Sequence, residues 1–142
     1  MISLVAIILL SYLAGSIPTS IIAGKVVKGI DIRNFGSGNA GGTNVFRVLG
    51  WKPALVVVIV DIGKGIFATL VISRLVLDPL PIQNHFFIQL LAGTCATIGH
   101  IFTVFAGFRG GKGVATAGGI EHAHDEIASF DFDACNFCAD RL

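Results

Sequence analysis

The chain has 142 residues, of which 54% are hydrophobic and 13% charged, with a mean hydropathy of +0.81. That is too apolar for a water-soluble globular domain, and the sparse, membrane-adjacent positive charge excludes a nucleic-acid-binding face. The formal net charge of +1 conceals an asymmetry, since residues 1–120 carry nine Lys and Arg against three acids and residues 121–142 carry one Arg against six.

Ile2 to Ile22 is an almost uncharged run, long enough as a helix to cross roughly 30 Å of hydrocarbon. No Lys or Arg precedes it, and it is longer than the apolar region of a signal peptide, so it reads as a first transmembrane helix. Pro18, in Gly15-Ser16-Ile17-Pro18-Thr19, should kink or end that helix near its inner end. The segment Lys25 to Lys52 then carries five basic residues against one acid, Asp31. By the positive-inside rule it faces the cytoplasm, with the N-terminus outside.

Within that segment Gly36, Gly38, Gly41 and Gly42 alternate with Ser37, Asn39, Thr43 and Asn44. Glycines let the backbone turn its N–H groups toward a ligand, and Arg33 and Arg47 flank the loop with guanidinium forks that match phosphate oxygens. A carboxylate-poor, amide-rich loop of this kind reads as a phosphate site. A flexible linker is the alternative, but Val45, Phe46, Val48 and Leu49 give the following residues the apolar stripe of a short helix with a buried face.

Pro53 opens a second apolar span, Ala54 to Leu77. Asp61 and Lys64 lie within it at a spacing that puts them on one helix face, where they can pair and should point into the bundle or a polar cavity. Asp78 to His85 is a short outer turn. Phe86 to Phe108 is a third span whose Gly93, Thr94, Ala96, Thr97 and Gly99 suit a close helix contact. His100, near its inner end, is read as a hydrogen-bonded structural group in preference to a base.

Gly107 to Thr116 is a second glycine-rich segment, with Arg109, Gly110, Gly111, Lys112 and Gly113. It fails as a nucleotide P-loop, because the glycine spacing is short and Gly113 stands where Ser or Thr should follow the lysine. It does bring a cation to the same membrane face as the first loop. Gly113 to Ile120 looks like an incomplete fourth span that stops after about two turns at Glu121. The acidic tail, residues 121–142, is expected to be disordered or non-native; His122, His124, Cys135 and Cys138 match no common zinc spacing. With Cys95 in an apolar run, the three cysteines form no disulfide framework.

Taken together, Gly15-Ser16-Ile17-Pro18, Gly29 to Arg33, Gly36 to Asn44 with Arg47, Asp61 with Lys64, Gly99-His100 and Gly110 to Thr116 resemble the bacterial membrane-integral acyl-phosphate glycerol-3-phosphate acyltransferases. The resemblance covers about residues 1–120, a membrane-embedded core with spans 2–22, 54–77 and 86–108 and loops 25–53 and 109–113. It implies an all-α polytopic helical bundle in the bacterial inner membrane, with its active loops in the cytoplasm. The implied reaction moves a fatty acyl group from acyl phosphate to the 1-position of glycerol 3-phosphate, giving lysophosphatidate and inorganic phosphate. It further implies catalytic roles for Ser37, Arg47 and Lys112. Gly36, Gly38, Asn39, Thr43, Asn44, Gly110, Gly111 and Gly113 would bind substrate, and Asp31, Arg33, Asp61, Lys64 and His100 would support the site.

No cofactor, metal or nucleic acid is expected; the partners are the two substrates, the bilayer and an upstream enzyme that supplies acyl phosphate. Gly42 stands where the family usually has Ala, and Thr103 where it usually has Pro. The family's third polar motif, with His, Asn, Arg and Glu, is missing, so the chain reads as truncated or frame-shifted after about residue 120. A small anion or phosphate transporter, or an inactive membrane fragment, is the alternative reading.

Overall fold

A computed structural model describes residues 1–75, 78 and 84–123 of the chain. Helix α1 runs over Ile2–Gly15. Its buried residues, Ser3, Ile7, Ser11 and Gly15, recur every four positions and form one small-residue stripe. That stripe lets α1 close on α5, which spans His85–Ile101. A β-carbon at Gly15 would overlap the Ala96 backbone, and one at Gly99 would overlap the Tyr12 carbonyl. Backbones that approach this closely are how membrane helices gain packing energy without a hydrophobic driving force.

Pro18 does more than kink the first span. It has no N–H and its ring crowds the preceding turn, so α1 ends at Gly15 and a second helix, α2, runs from Thr19–Lys28. The span expected over 2–22, its helix kinked or ended near Pro18, is two helices within an apolar segment Ile2–Lys28. The carbonyls exposed by the break are answered from other elements. Lys64 donates to Ile17 O at 2.8 Å and to Gly15 O at 3.4 Å, and the Thr103 hydroxyl donates to Ser16 O.

After a 3-10 turn at Ile32–Asn34 and a loop, α3 covers Gly42–Leu49 and α4 covers Trp51–Leu70. Pro53 lies inside the first turn of α4, where its missing N–H costs nothing, so the helix starts two residues before the proline. Val45 is buried on α3, as its apolar stripe suggests, whereas Phe46 is 57% exposed. Segments Trp51–Arg74 and His85–Ala106 are, with Ile2–Lys28, long and apolar enough to cross a membrane. Residues 114–123 form a last helix, α6, which continues past Glu121. All regular structure among the described residues is helical.

Two apolar clusters hold the bundle. Ile7, Ala68, Ile72, Ile88, Ala92 and Ala96 pack α1, α4 and α5 at the end away from the glycine loops. Ile21, Ile32, Ala40, Val45, Ala54 and Val57 pack α2, α3 and α4 at the loop end. The outer surface is itself apolar, with Val5, Leu9, Leu55, Val56, Ile59, Phe67 and Phe87 exposed, which suits a lipid solvent and no aqueous one. At the far end Asp78 accepts from the Ile2 and Ser3 N–H groups at 3.0 and 2.7 Å and pairs with the terminal amine. The amine and Ser3 hold the Asp78 carboxyl below the usual carboxylate range.

Candidate functional site

The first glycine loop is built around Asn44. Its Oδ1 accepts from the Ser37 N–H at 2.9 Å, while Nδ2 donates to Ile32 O and Phe35 O, each at 3.0 Å. Asn44 is 1% exposed, so three of its four hydrogen-bonding valences are spent closing the loop on the start of α3. Gly36 has φ +61 and lies against Asn44 Oδ1, where a β-carbon would collide. It is a glycine because the loop turns there and because Asn44 needs the space.

Asp31 and Arg33, read from the sequence as supports, hold each other. The Asp31 carboxylate accepts from the Arg33 N–H at 3.0 Å and from its guanidinium at 2.7 Å, and Arg33 Nη1 donates to Ala106 O at 2.8 Å. The Arg33 side chain lowers the Asp31 pKa from 3.8 to about 2. The pair ties the first loop to the turn after α5, and neither side chain reaches the cavity described below.

A second cluster lies where α2, α4 and α5 meet. Asp61 Oδ1 is 2.8 Å from Lys64 Nζ, accepts from the Thr19 hydroxyl at 2.6 Å and lies 3.6 Å from His100 Nδ1. The expected Asp61–Lys64 pair thus exists, and His100 joins it from a helix far away in sequence. Asp61, Lys64 and His100 are all buried.

The second glycine loop folds back over the end of α5. Gly110 N–H donates to Ile101 O at 3.0 Å and Gly111 N–H to His100 O at 3.1 Å, which satisfies carbonyls the helix terminus leaves free. A β-carbon on Gly110 would overlap the His100 carbonyl, and one on Gly111 would overlap the His100 ring and crowd Ala40 O. These two glycines allow close approach. Gly113, with φ +76, turns the chain into α6.

These pieces line a partly open cavity of about 770 Å³. Ser37, Asn39, Gly41, Gly42, Thr43, Asn44 and Arg47 line it from the first loop and α3, and Lys112 and Gly113 from the second loop. Asp61 and His100 reach it from α4 and α5; Val58 and Ile62 of α4 face Val114, Ala115, Gly118 and His122 of α6. Thr43 and Arg47 share one exposed face of α3 at a spacing of one turn. Asn39 Oδ1 is buried and has no donor among the described residues. With Asp61 offset by Lys64, the charges on the wall without an ionic partner among the described residues are Arg47 and Lys112, which favours an anion. Gly36, Gly38, Gly110, Gly111 and Lys64 do not line the cavity.

Sequence reasoning did not place His122, Gly118, Val58 or Ile62 at the site. The signal for two of them was the four-residue spacing of Val114, Gly118 and His122 on one helix face directly after Lys112. His124, Cys135 and Cys138, with the rest of residues 124–142, lie outside the described residues, whereas residues 121–123 of the expected tail belong to α6. Among the described residues no three His, Cys, Asp or Glu side chains gather as a metal site.

The sequence model of the family described as glycerol-3-phosphate acyltransferase matches residues 5–132. Curated relatives of that name are 58% identical over 124 residues in Pelodictyon phaeoclathratiforme and 60% identical over 124 residues in Chlorobaculum tepidum. Each alignment takes in 84% of this chain and 53% of the relative, so the chain spans about half the length of the curated relatives it matches. Among solved structures the chain is similar to PlsY (YgiH), an integral membrane glycerol 3-phosphate acyltransferase, at 36% identity over 92% of this chain. The TM-score is 0.69 for its glycerol 3-phosphate form and 0.71 for its lysophosphatidic acid form, with 62% and 61% of those chains covered.

Proposed function

This chain belongs to the glycerol-3-phosphate acyltransferase family, and from that premise we propose that its cavity is the acyl-transfer site. The reaction is transfer of a fatty acyl group from acyl phosphate to the 1-hydroxyl of glycerol 3-phosphate, releasing lysophosphatidate and inorganic phosphate. The observation that carries this reading is the convergence of Ser37 from the first glycine loop, Arg47 from α3 and Lys112 from the second glycine loop on one cavity with an apolar side. Both substrates bring a phosphate, and one brings a long chain that belongs in lipid.

In the proposed step the glycerol hydroxyl oxygen bonds to the acyl carbonyl carbon, and the bond from that carbon to the phosphate oxygen breaks. The departing phosphate is a good leaving group and one of its oxygens takes the hydroxyl proton. Arg47 and Lys112 steady the phosphates. Ser37 and the loop N–H groups stabilise charge developing on the carbonyl oxygen. Asp61 and His100 shape the wall from their buried cluster. Residues 1–120 form this core, which lies in the bacterial inner membrane with both glycine loops in the cytoplasm, the side favoured by the basic residues between Lys25 and Lys52. An enzyme that makes acyl phosphate acts upstream.

The test is an assay of the purified chain with acyl phosphate and labelled glycerol 3-phosphate, beside a sample given acyl coenzyme A. Labelled lysophosphatidate from acyl phosphate alone is the expected result. Ser37→Ala, Arg47→Ala and Lys112→Ala should each lower turnover by about a hundredfold or more, the scale for losing one pre-placed donor. Near-normal rates in all three would overturn the assignment. Product made in detergent would also separate this reading from transport, which needs sealed vesicles.

A further inference from the structure

Gly118 and Gly119 are neighbours on α6 and do opposite things. Gly119 packs on α4, where a β-carbon would overlap the Ile62 carbonyl, and Gly65 of α4 meets the Thr116 carbonyl in the same way. Those glycines exist so that two helices can touch. Gly118, one residue earlier and so turned about 100° around the helix, has no heavy atom within 4 Å of its missing β-carbon among the described residues, yet it borders the cavity. After proline, glycine is the least favourable residue inside a helix, and packing does not account for it at this position. What its absent side chain leaves is space, continuous with the cavity and walled by Val58, Ile62, Val114 and Ala115.

The two ends of this space differ in chemistry. Arg47 and Lys112 stand at the loop end, and the aliphatic wall begins where α6 leaves Gly113. An anionic head with an aliphatic tail is complementary to that order of residues, and neither a free phosphate nor a wholly apolar molecule is. We propose that the groove over Gly118 seats the acyl chain nearest the phosphate-bearing head, and that the absent side chain at position 118 determines whether a long chain binds. Gly118 is one turn, roughly 6 Å, beyond Val114, so a side chain there would meet the ligand a few carbons below the head. This rests on the acyl-transfer reading of the cavity and adds to it a residue that sets chain selectivity.

The experiment measures binding, so it does not depend on turnover. The purified full chain in detergent is titrated with inorganic phosphate, butylphosphonate and dodecylphosphonate, and the ligand-induced rise in unfolding midpoint is read. Gly118→Leu is compared with Gly118→Ala and with Gly63→Leu. Gly63 is exposed on α4, has equally open space and does not border the cavity, so its leucine controls for added bulk. The native chain should bind the dodecyl compound more tightly than the butyl one. Gly118→Leu should erase that advantage by about tenfold or more and leave phosphate and butylphosphonate unchanged; Gly118→Ala should fall between, and Gly63→Leu should match the native chain. If Gly118→Leu keeps the chain-length advantage, position 118 does not border the chain and the proposal fails. If the native chain binds both phosphonates equally, the groove receives something other than an acyl chain, such as a further protein segment, and the proposal fails while the phosphate site stands. Failure to bind phosphate in any form would overturn the acyl-transfer reading as well.

Discussion

Methionine at position 64 keeps most of the volume of lysine and removes its charge, which isolates what the buried Asp61–Lys64 pair contributes. In the native chain Lys64 Nζ is 2.8 Å from Asp61 and donates to Ile17 O and Gly15 O. In Lys64→Met the Asp61 carboxylate stays buried with the Thr19 hydroxyl as its donor, and both carbonyls lose a partner. Removing one member of a buried pair typically costs about 3–5 kcal/mol, most of it the penalty on the charge left behind. Removing both charges, in Asp61→Asn with Lys64→Met, leaves mainly the two carbonyls to count, about 2 kcal/mol at a net 1 kcal/mol for each lost hydrogen bond. The double variant should therefore be more stable than Lys64→Met alone by about 2 kcal/mol, read from denaturant unfolding in detergent by helical circular dichroism. Equal instability of the two variants would refute the reasoning, because it would mean the charges do not compensate each other.

Three other outcomes follow from the same structure. Asn44→Ala deletes three hydrogen bonds inside the loop and should cost about 3 kcal/mol in the same unfolding measurement before any substrate is added, whereas a residue that only touches substrate would leave unfolding unchanged. Gly119→Ala should lower the unfolding midpoint because its methyl meets the Ile62 carbonyl, while Gly118→Ala should raise stability by about 0.5–1 kcal/mol through helix propensity alone. Arg33 holds the folded-state pKa of Asp31 near 2, below its ordinary 3.8. A depressed carboxylate contributes its stability in full above about pH 4 and loses it as pH falls toward 2, so Arg33→Gln should move the carboxyl titration of Asp31, followed by NMR, back toward 3.8.

How much of this was legible beforehand depended on the range of the interaction. The three apolar segments, the short helix after the glycine loop and the Asp61–Lys64 pair are local patterns, readable from run length, from the placing of Val45 and from a one-turn spacing. Long-range contacts left no such pattern. Nothing near His100 announces that its ring meets Asp61 from another helix or that Gly111 is a glycine to admit it. Phe46 was read as buried on the premise that apolar residues turn inward, a rule that weakens beside a bilayer. Arg33 looks like a ligand-binding side chain in sequence, and the clamping role of Asn44 is hidden there, because a residue that clamps a loop and one that grips a phosphate have the same chemistry. Their partners, Ile32 O and Phe35 O for Asn44 and Asp31 for Arg33, reveal the clamping roles.

The break at Pro18 also bears on how the chain enters a membrane. With 14 residues, α1 extends about 21 Å, short of the roughly 30 Å of a hydrocarbon core, so the non-helical backbone at Ser16 to Pro18 falls within the bilayer's depth. Bare carbonyls are not tolerated there unless protein covers them. The groups that cover them, the Lys64 ammonium and the Thr103 hydroxyl, are synthesised about 50 and 85 residues later. Until α4 and the turn after α5 are in place, the break in the first span lacks the donors that cover it in the folded chain.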